Sequence, residues 1–341
     1  MMCLKPNTHS TLTELSLCVS VWLLCTTTFL IAQKAPPVAN DDVYVTGLNT
    51  TLDVNTANGL LTNDTDPNGT VGLTVRATPV SGPTSGAVTL NDNGSFSYTP
   101  ASGSIASASF EYLVCDDGTP DIVISRFDFD TASLTSATVG PDAISIDADA
   151  TQVGCGIHIP PGQGGGSKGL DLVIPNTGNI FDFTSFRFDF EYRDQESTAD
   201  IATAGNFRVY HITGNQLGLR VSVINGSTGL PANYTVTLGS FLAGNIPYTV
   251  EYDELTGNVI YTANGNTTTT NMAPPYSSLD VSLATNITIG RLMDNSGTAL
   301  SALCSIAFTD TSILCDTGMV TIDIITSVIT NRNITYRVNR N

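Results

Sequence analysis

The chain has 341 residues, of which only 13% are charged and 41% are apolar, and it carries a formal net charge of −18. An acidic surface of this kind repels nucleic acid and anionic lipid, and so excludes both as partners. Low charge together with many Gly, Thr, Ser, Asn and Asp residues is the texture of exported β-proteins rich in turns, in which the acid serves either solubility or the binding of divalent cations.

The first element is the apolar stretch LSLCVSVWLLCTTTFLIA, set behind a start containing Lys5 and followed by the polar QKAPPVAND. That order predicts a signal peptide over residues 1–33, with the remainder secreted or held at the cell surface and not inserted in a membrane. The competing reading is an anchor, because a run of about 18 residues just spans a bilayer, but no basic cluster follows to fix its orientation. Taking Lys5 and Glu14 from the 13 basic and 31 acidic residues leaves the balance at −18. Cys3, Cys18 and Cys25 lie in this leader, so Cys115, Cys155, Cys304 and Cys315 remain. An even number in an exported chain favours disulfides, and zinc is disfavoured because no C-x-x-C pair exists. Four cysteines allow three pairings. Their order along the chain suggests the nested one, Cys115 with Cys315 and Cys155 with Cys304.

Beyond the leader, helical periodicity is nearly absent. Short alternating runs recur instead in chain order: SFSYT, SFEYLV, FRFDFEY, LRVSVI, YTVTL, YTVEY and NVIYTA. They are separated by NDNGS, DELTGN and TANGN, which supply Asn, Asp and Gly where hairpins need positive φ. Strands of this length and spacing predict an all-β protein made of sandwiches.

From Pro36 the chain runs through PPVANDD, the turn LLTNDTDPNG, the hairpin GAVTLNDNGSFSYTP and the strand FEYLVCDDGTPD. These features resemble the cadherin-like and Ig-like repeats of large bacterial surface proteins, particularly Bacteroidota adhesins. In that family the cysteine strand continues within a few residues into the last strand of the sandwich. Here VCDDGTPD opens onto a long stretch of different texture, and LCDTGMVTIDI, which fits the last strand, appears only at residues 314–324. The resemblance implies a discontinuous Ig-like/cadherin-like sandwich of residues 36–122 plus 314–324, interrupted over 125–313, with a tail at 325–341. Loop closure permits this, since each doubling of the interruption adds only about 0.6 kcal/mol. The competing arrangement is two domains in series.

The interrupting segment includes GLDLVIPNTGNIFDFTSFRFDFEYRDQ, GNFRVYHITG, YDELTGNVIYTANG and NITIGR. In the order of its elements it resembles a concanavalin A-like jelly roll of the laminin-G type. Cys155 and Cys304 fall near opposite sequence ends of the segment, where the first and last strands of such a sandwich run side by side. The segment PPGQGGGSKG reads as a surface loop, without the context of a phosphate loop.

In NDTDPNG, the residues Asn63, Asp64, Asp66 and Asn68 place oxygen atoms at alternate positions, as a calcium loop begins. The resemblance adds Asp41, Asp42, Asp116 and Asp117 as neighbours of a structural Ca²⁺. A second calcium set, Asp128, Asp130 and Asp310, is expected in the jelly roll. The alternative for all of these is that Asx residues simply build the turns. Enzymatic hydrolysis of glycans requires two carboxylates in one cleft. The dense candidates Glu191, Asp194 and Glu196 do not share a strand face, because side chains alternate. Neither His158 nor His211 stands beside a nucleophile signature. With Trp22 in the leader, the aromatic faces left for sugar are Tyr210, Tyr248, Tyr252, Tyr261 and Tyr276, although such residues also build cores.

The expectation is an exported, non-catalytic protein that binds a glycan or protein through its jelly roll. A glycan-active hydrolase and a structural spacer of a larger adhesin are the rivals. The basic tail, with Arg332, Arg337 and Arg340, is too short for a folded secretion domain.

Overall fold

The computed structural model describes residues 34–69, 72–130, 133–160, 169–193, 199–212, 215–293 and 302–326. The predicted signal peptide, most of the glycine-rich loop, Asp194, Glu196 and nearly all of the tail lie outside these residues. Alternation dictates the local structure: in ASFEYLVC, buried Ala108, Phe110, Tyr112 and Val114 alternate with half-buried Ser109, Glu111 and Leu113. No helix among the described residues is long and apolar enough to cross a membrane.

The host module begins with β1 (Asp42–Gly47), β2 (Leu52–Val54), β3 (Thr74–Val75), β4 (Ala87–Leu90), β5 (Phe96–Thr99) and β6 (Ala108–Cys115). The guest follows with β7 (Ile122–Phe127), β8 (Thr151–Val153), β9 (Gly156–His158), β10 (Leu172–Ile174), β11 (Phe186–Arg193), β12 (Asp200–Thr203), β13 (Phe207–Ile212) and β14 (Gln216–Ile224). It continues through β15 (Pro231–Ser240), β16 (Asn245–Asp253), β17 (Asn258–Ala263), β18 (Asn266–Asn271), β19 (Ser278–Leu279), β20 (Ile287–Arg291) and β21 (Ala302–Asp310). The chain then returns to the host as β22 (Cys315–Ile325).

The host is a sandwich of a four-stranded sheet in the order β1-β22-β6-β3 and a three-stranded sheet in the order β2-β5-β4. Strand β22 is central: it pairs antiparallel with β6, from Cys315 opposite Cys115 to Ile322 opposite Ala108, and parallel with β1. Its inward residues Val320 and Ile322 share one core with Phe96, Tyr98, Phe110, Tyr112 and Val114. The last strand is therefore built into the first module, and the chain forms an interrupted sandwich rather than two domains in series.

The guest is a jelly roll of two larger sheets. One runs β10-β20-β12-β13-β14-β15 with β19 on β14; the other runs β18-β17-β16-β11-β21-β9-β8 with β7 beside β21. In β11 the even positions Phe186, Phe188, Phe190 and Tyr192 are buried, and Phe188 stacks on Phe308 at 4.3 Å. Stacked pairs of this kind add about 0.5–1.5 kcal/mol beyond area burial. Strand β7 begins at Ile122, three residues before the boundary expected from sequence, because Ile122 to Phe127 pair with β21 and Ile124 enters the guest core. At the other end β22 extends to Ile325, which lies opposite Gly47.

The two connections between host and guest are laced together. Asp116 N donates to Leu314 O and Leu314 N donates to Asp116 Oδ1, both at 2.9 Å. Lys34 Nζ donates to Gly118 O and, at 2.9 Å, to Ser312 O. Disulfides join Cys115 to Cys315 and Cys155 to Cys304. The first closes a sequence separation of 200 residues, for which chain entropy gives an upper stabilisation of about 5 kcal/mol.

The start of β1 is fastened by a crowded hydroxyl. Tyr112 Oη lies 3.1 Å from Asn40 O, 3.3 Å from Asp42 Oδ2 and 3.2 Å from Asp64 Oδ2, so one proton faces three acceptors. Burial pushes the Asp42 carboxyl up to about 6; the Tyr112 hydrogen bond opposes the shift and the Asp64 charge adds to it. Asp64 is raised as well, again first by burial. A raised carboxyl contributes stability that is full below the unfolded value of about 4 and is lost as pH rises through about 6.

Two outcomes follow for the host. Cys115→Ser/Cys315→Ser is expected to lower the free energy of unfolding by up to about 5 kcal/mol in urea titrations, with m rising because the uncrosslinked unfolded chain exposes more surface. In differential scanning calorimetry from pH 4 to pH 7, the melting temperature of Asp42→Asn is expected to gain on that of the parent as pH rises, with the gain completed just above pH 6. A difference that does not vary with pH would show that Asp42 carries no such proton.

Candidate functional site

The described residues of the guest form a trough on the outer face of the eight-stranded sheet, with a volume of about 350 Å³. It follows from strand alternation. With Phe186, Phe188, Phe190 and Tyr192 turned inward, Arg187, Asp189 and Glu191 must project from the opposite face of β11. The neighbouring strand β21 places Thr309, Ala307 and Ser305 beside them in register. On its other side, β7 sets Val123 opposite Thr309 and Arg126 opposite Ala307, with Asp128 following at the strand end. Small side chains on the middle strand thus form a floor between walls of long charged ones. From Ser305 to Thr309 is four residue steps, so the floor extends about 13 Å.

The walls are internally paired. Arg126 Nε donates to Asp128 Oδ1 at 2.8 Å, and Thr138 Oγ1 donates to Asp128 Oδ2 at 2.8 Å. Arg187 Nη1 donates to Asp121 Oδ2 at 2.6 Å, and its Nε donates to Asp189 Oδ2 at 3.3 Å. Thr249 Oγ1 donates to Asp189 Oδ1 at 2.6 Å. Burial works against the Arg187 charge, yet its bonds to Asp121 and Asp189 hold the guanidinium above its usual value. Glu251, opposite Arg187 on β16, is pushed up by burial and by Asp121, Asp253 and Asp189, against the pull of Arg187.

Two groups in the trough stand apart from this pairing. Among the described residues Glu191 has no hydrogen-bond partner for its half-buried carboxylate. Thr309 is 1% exposed and its Oγ1 has no partner. A buried hydroxyl left unpaired costs about 1–3 kcal/mol.

The structure does not assemble the expected calcium set of the guest. Asp310 lies opposite Ile122, whereas Asp128 follows Phe127, which lies opposite Ile306. The two are thus about 15 Å or more apart along the ladder. Asp310 Oδ1 accepts from Ser312 N, Asp128 is taken by Arg126 and Thr138, and Asp130 is exposed beyond the strand. In the host, Asp42 and Asp64 meet at Tyr112, while the other aspartates serve turns and connections. Asp66 Oδ1 accepts from Asn68 N at 2.8 Å, and Asp116 Oδ1 accepts from Gly118 N at 3.0 Å as well as from Leu314 N. Asp117 Oδ1 accepts from Thr119 N, and Asp41 Oδ1 from Met319 N. Among the described residues no three of these carboxylates bring oxygen atoms within 4.8 Å of one another. The one His, Cys, Asp or Glu group that close is Cys155, Glu191 and Cys304, whose sulfurs are bonded to each other. In Asp41, Asp66, Asp116, Asp117 and Asp310 one carboxylate oxygen accepts from a backbone N–H, while Asp116 Oδ2 is buried without a partner.

The tyrosines expected as sugar platforms are mostly core. Tyr248, Tyr252 and Tyr261 are buried, Tyr210 lies under the Arg208 guanidinium at 4.3 Å, and Tyr276, 41% exposed, has Arg76 of the host over one face of its ring. His211 stacks on Phe241 at 4.1 Å inside the guest core, where burial drives its pKa down to about 4. His158 is buried and lowered by desolvation and by Arg193. Asp189 and Thr309 are the residues that sequence reading misses. The alternation of FRFDFEYR places Asp189 on the face of Glu191, whereas Asp194 and Glu196, the partners considered from sequence, lie outside the described residues. Nothing local marks Thr309, because it joins the trough through strand pairing.

Residues 34–126 match the family model described as a bacterial cadherin-like domain. That match includes β1 to β6 and most of β7, and leaves out β22, which completes the host sheet. No curated protein matches the chain. Among solved structures, the CBM40 module of a Ruminococcus gnavus IT-sialidase bound to α2,3-sialyllactose is similar at 12% identity. It covers 43% of this chain and 91% of its own, with a TM-score of 0.31. Caenorhabditis elegans galectin LEC-6 is similar at 11% identity over 42% of this chain and 92% of its own, TM-score 0.24. The alginate lyase A1-II′ of polysaccharide lyase family 7 is similar at 14% identity over 40% of this chain and 63% of its own, TM-score 0.20. The cadherin-like match covers the host strands β1 to β6 and runs into β7, whose Val123 and Arg126 line the trough, and the rest of the trough lies outside it.

Proposed function

We propose that this chain is an exported, non-catalytic surface protein whose guest module binds a glycan in the trough of the eight-stranded sheet, with the host module as its mount. The observation that carries the reading is the three-rung arrangement of Ser305, Ala307 and Thr309 between the charged rows of β11 and β7. Carboxylates, guanidinium groups and hydroxyls at about 7 Å intervals offer the alternating donors and acceptors that a polyhydroxylated chain requires. Export is supported by the two disulfides, which persist in oxidising compartments. A role in adhesion accords with the cadherin-like match of the host.

The hydrolase reading has one observation in its favour: Asp189 and Glu191 share a face of the trough. Hydrolysis would need one carboxyl kept protonated and the other poised as base or nucleophile. Asp189 is instead held as an acceptor by Thr249 and Arg187, which commits both its oxygens. The non-catalytic reading is therefore preferred.

The test is a glycan array of neutral and acidic plant, algal and mucin oligosaccharides probed with the secreted chain. Any hit is expected to disappear in Ala307→Arg, whose long side chain fills the floor, while the melting temperature stays within about 2 °C. Hits that survive that substitution would place binding elsewhere on the molecule. Release of reducing ends from a bound glycan, abolished by Glu191→Gln, would overturn the non-catalytic reading.

A further inference from the structure

We infer that the ligand of the trough is a neutral polyhydroxylated chain, and that Glu191 and the buried Thr309 hydroxyl read its hydroxyl groups. This rests on the glycan-binding reading and deepens it. An acidic sugar is recognised by a guanidinium fork that is free to grip a carboxylate in two places. Neither guanidinium of the trough is free: Arg126 is closed on Asp128, and Arg187 spans Asp121 and Asp189. Recruiting either would strand a carboxylate beside the incoming anion. The charged lining counts two guanidinium groups against three carboxylates, and the uncommitted charge is the negative one of Glu191. An anionic chain therefore meets repulsion without compensation.

A repeating cationic chain fares little better, because it needs a carboxylate for each ammonium and Asp128 and Asp189 are already neutralised within the walls. What remains unsatisfied suits hydroxyls. Glu191 is a pure acceptor and takes O–H donors; Thr309 Oγ1 donates and accepts, and it is the one lining group nine-tenths buried without a partner. Its cost in the free protein is recovered when a ligand hydroxyl pairs with it. Glu191 and Thr309 stand at opposite ends of the floor, with Glu191 paired to Ser305, so the two contacts fix the direction of a bound chain.

The experiment is isothermal titration of the full secreted chain with defined probes: laminarin, galactan and mannan oligosaccharides as neutral chains, polygalacturonate, alginate and sialyllactose as acidic ones, and chitosan hexamer as a cationic one. Binding to at least one neutral probe is expected, nearly unchanged between 0.05 and about 0.5 M salt, because no ion pair forms. Thr309→Val keeps the shape and removes the unpaired hydroxyl. It is expected to leave thermal stability equal or higher while weakening the neutral probe about tenfold, with Glu191→Ala weakening it by a similar factor. Binding confined to the acidic probes or to chitosan overturns the neutral-ligand inference and leaves the trough reading standing. Neutral binding undiminished in both variants overturns the assignment of Glu191 and Thr309. Binding to no probe, with the fold intact, sinks the glycan reading itself.

Discussion

The molecule depends on one pairing, that of β6 with β22. Eight residue pairs in antiparallel register, closed by the Cys115–Cys315 bond, bring together strands separated by the whole of the guest. Without β22 the host would keep its three-stranded sheet, but the four-stranded one would lose the strand that joins β1 to β6, together with Val320 and Ile322 from the core. The interruption is tolerated because the guest returns its chain close to where it took it. Strands β7 and β21 are neighbours in the guest sheet, so entry and exit emerge side by side. The hydrogen bonds of Asp116 with Leu314 and of Lys34 with both connections satisfy the backbone there. Geometry at one edge of the guest thus answers a demand set by the host.

The fold class was legible because it rests on short-range alternation and on two recognisable textures. SFEYLVC and LCDTGMVTIDI announce strands of the same sheet, since both alternate and both carry a cysteine at the guest-facing end. The jelly roll reads from FRFDFEYR and its neighbours in the same way. Boundaries were less legible: Ile122 to Ile124 sit in a Thr-Pro-Asp turn context, and their membership of the guest sheet is settled by pairing with a strand nearly 190 residues later.

The candidate site divides along the same line. Glu191 stands out in the sequence, and strict alternation from it leads to Asp189 and Arg187. Thr309, Ala307 and Ser305 carry no local mark, because a floor of small residues acquires meaning only through the strands on either side of it. The calcium sets expected from sequence turn on the same distinction between local and long-range contacts. Aspartates dense in sequence suggest convergence, but in Asp66, Asp116, Asp117 and Asp310 one carboxylate oxygen accepts from a backbone N–H two residues ahead. Turn formation takes up one oxygen of each, and Asp116 Oδ2 stays buried without a partner. The tyrosines follow the same logic, since Tyr248, Tyr252 and Tyr261 fill the interior of a sandwich whose outer faces are polar.

The parallel alignment of β1 with β22 has a mechanical meaning. Asp42 lies opposite Val320 and Gly47 opposite Ile325, so the chain enters β1 at one end of this ladder and leaves β22 at the other. Tension drawn between the two flanks of the protein slides these strands lengthwise against each other and strains all of their mutual hydrogen bonds at once, instead of peeling them apart one by one. The guest is inserted between β6 and β22, outside the β1–β22 ladder that carries this load.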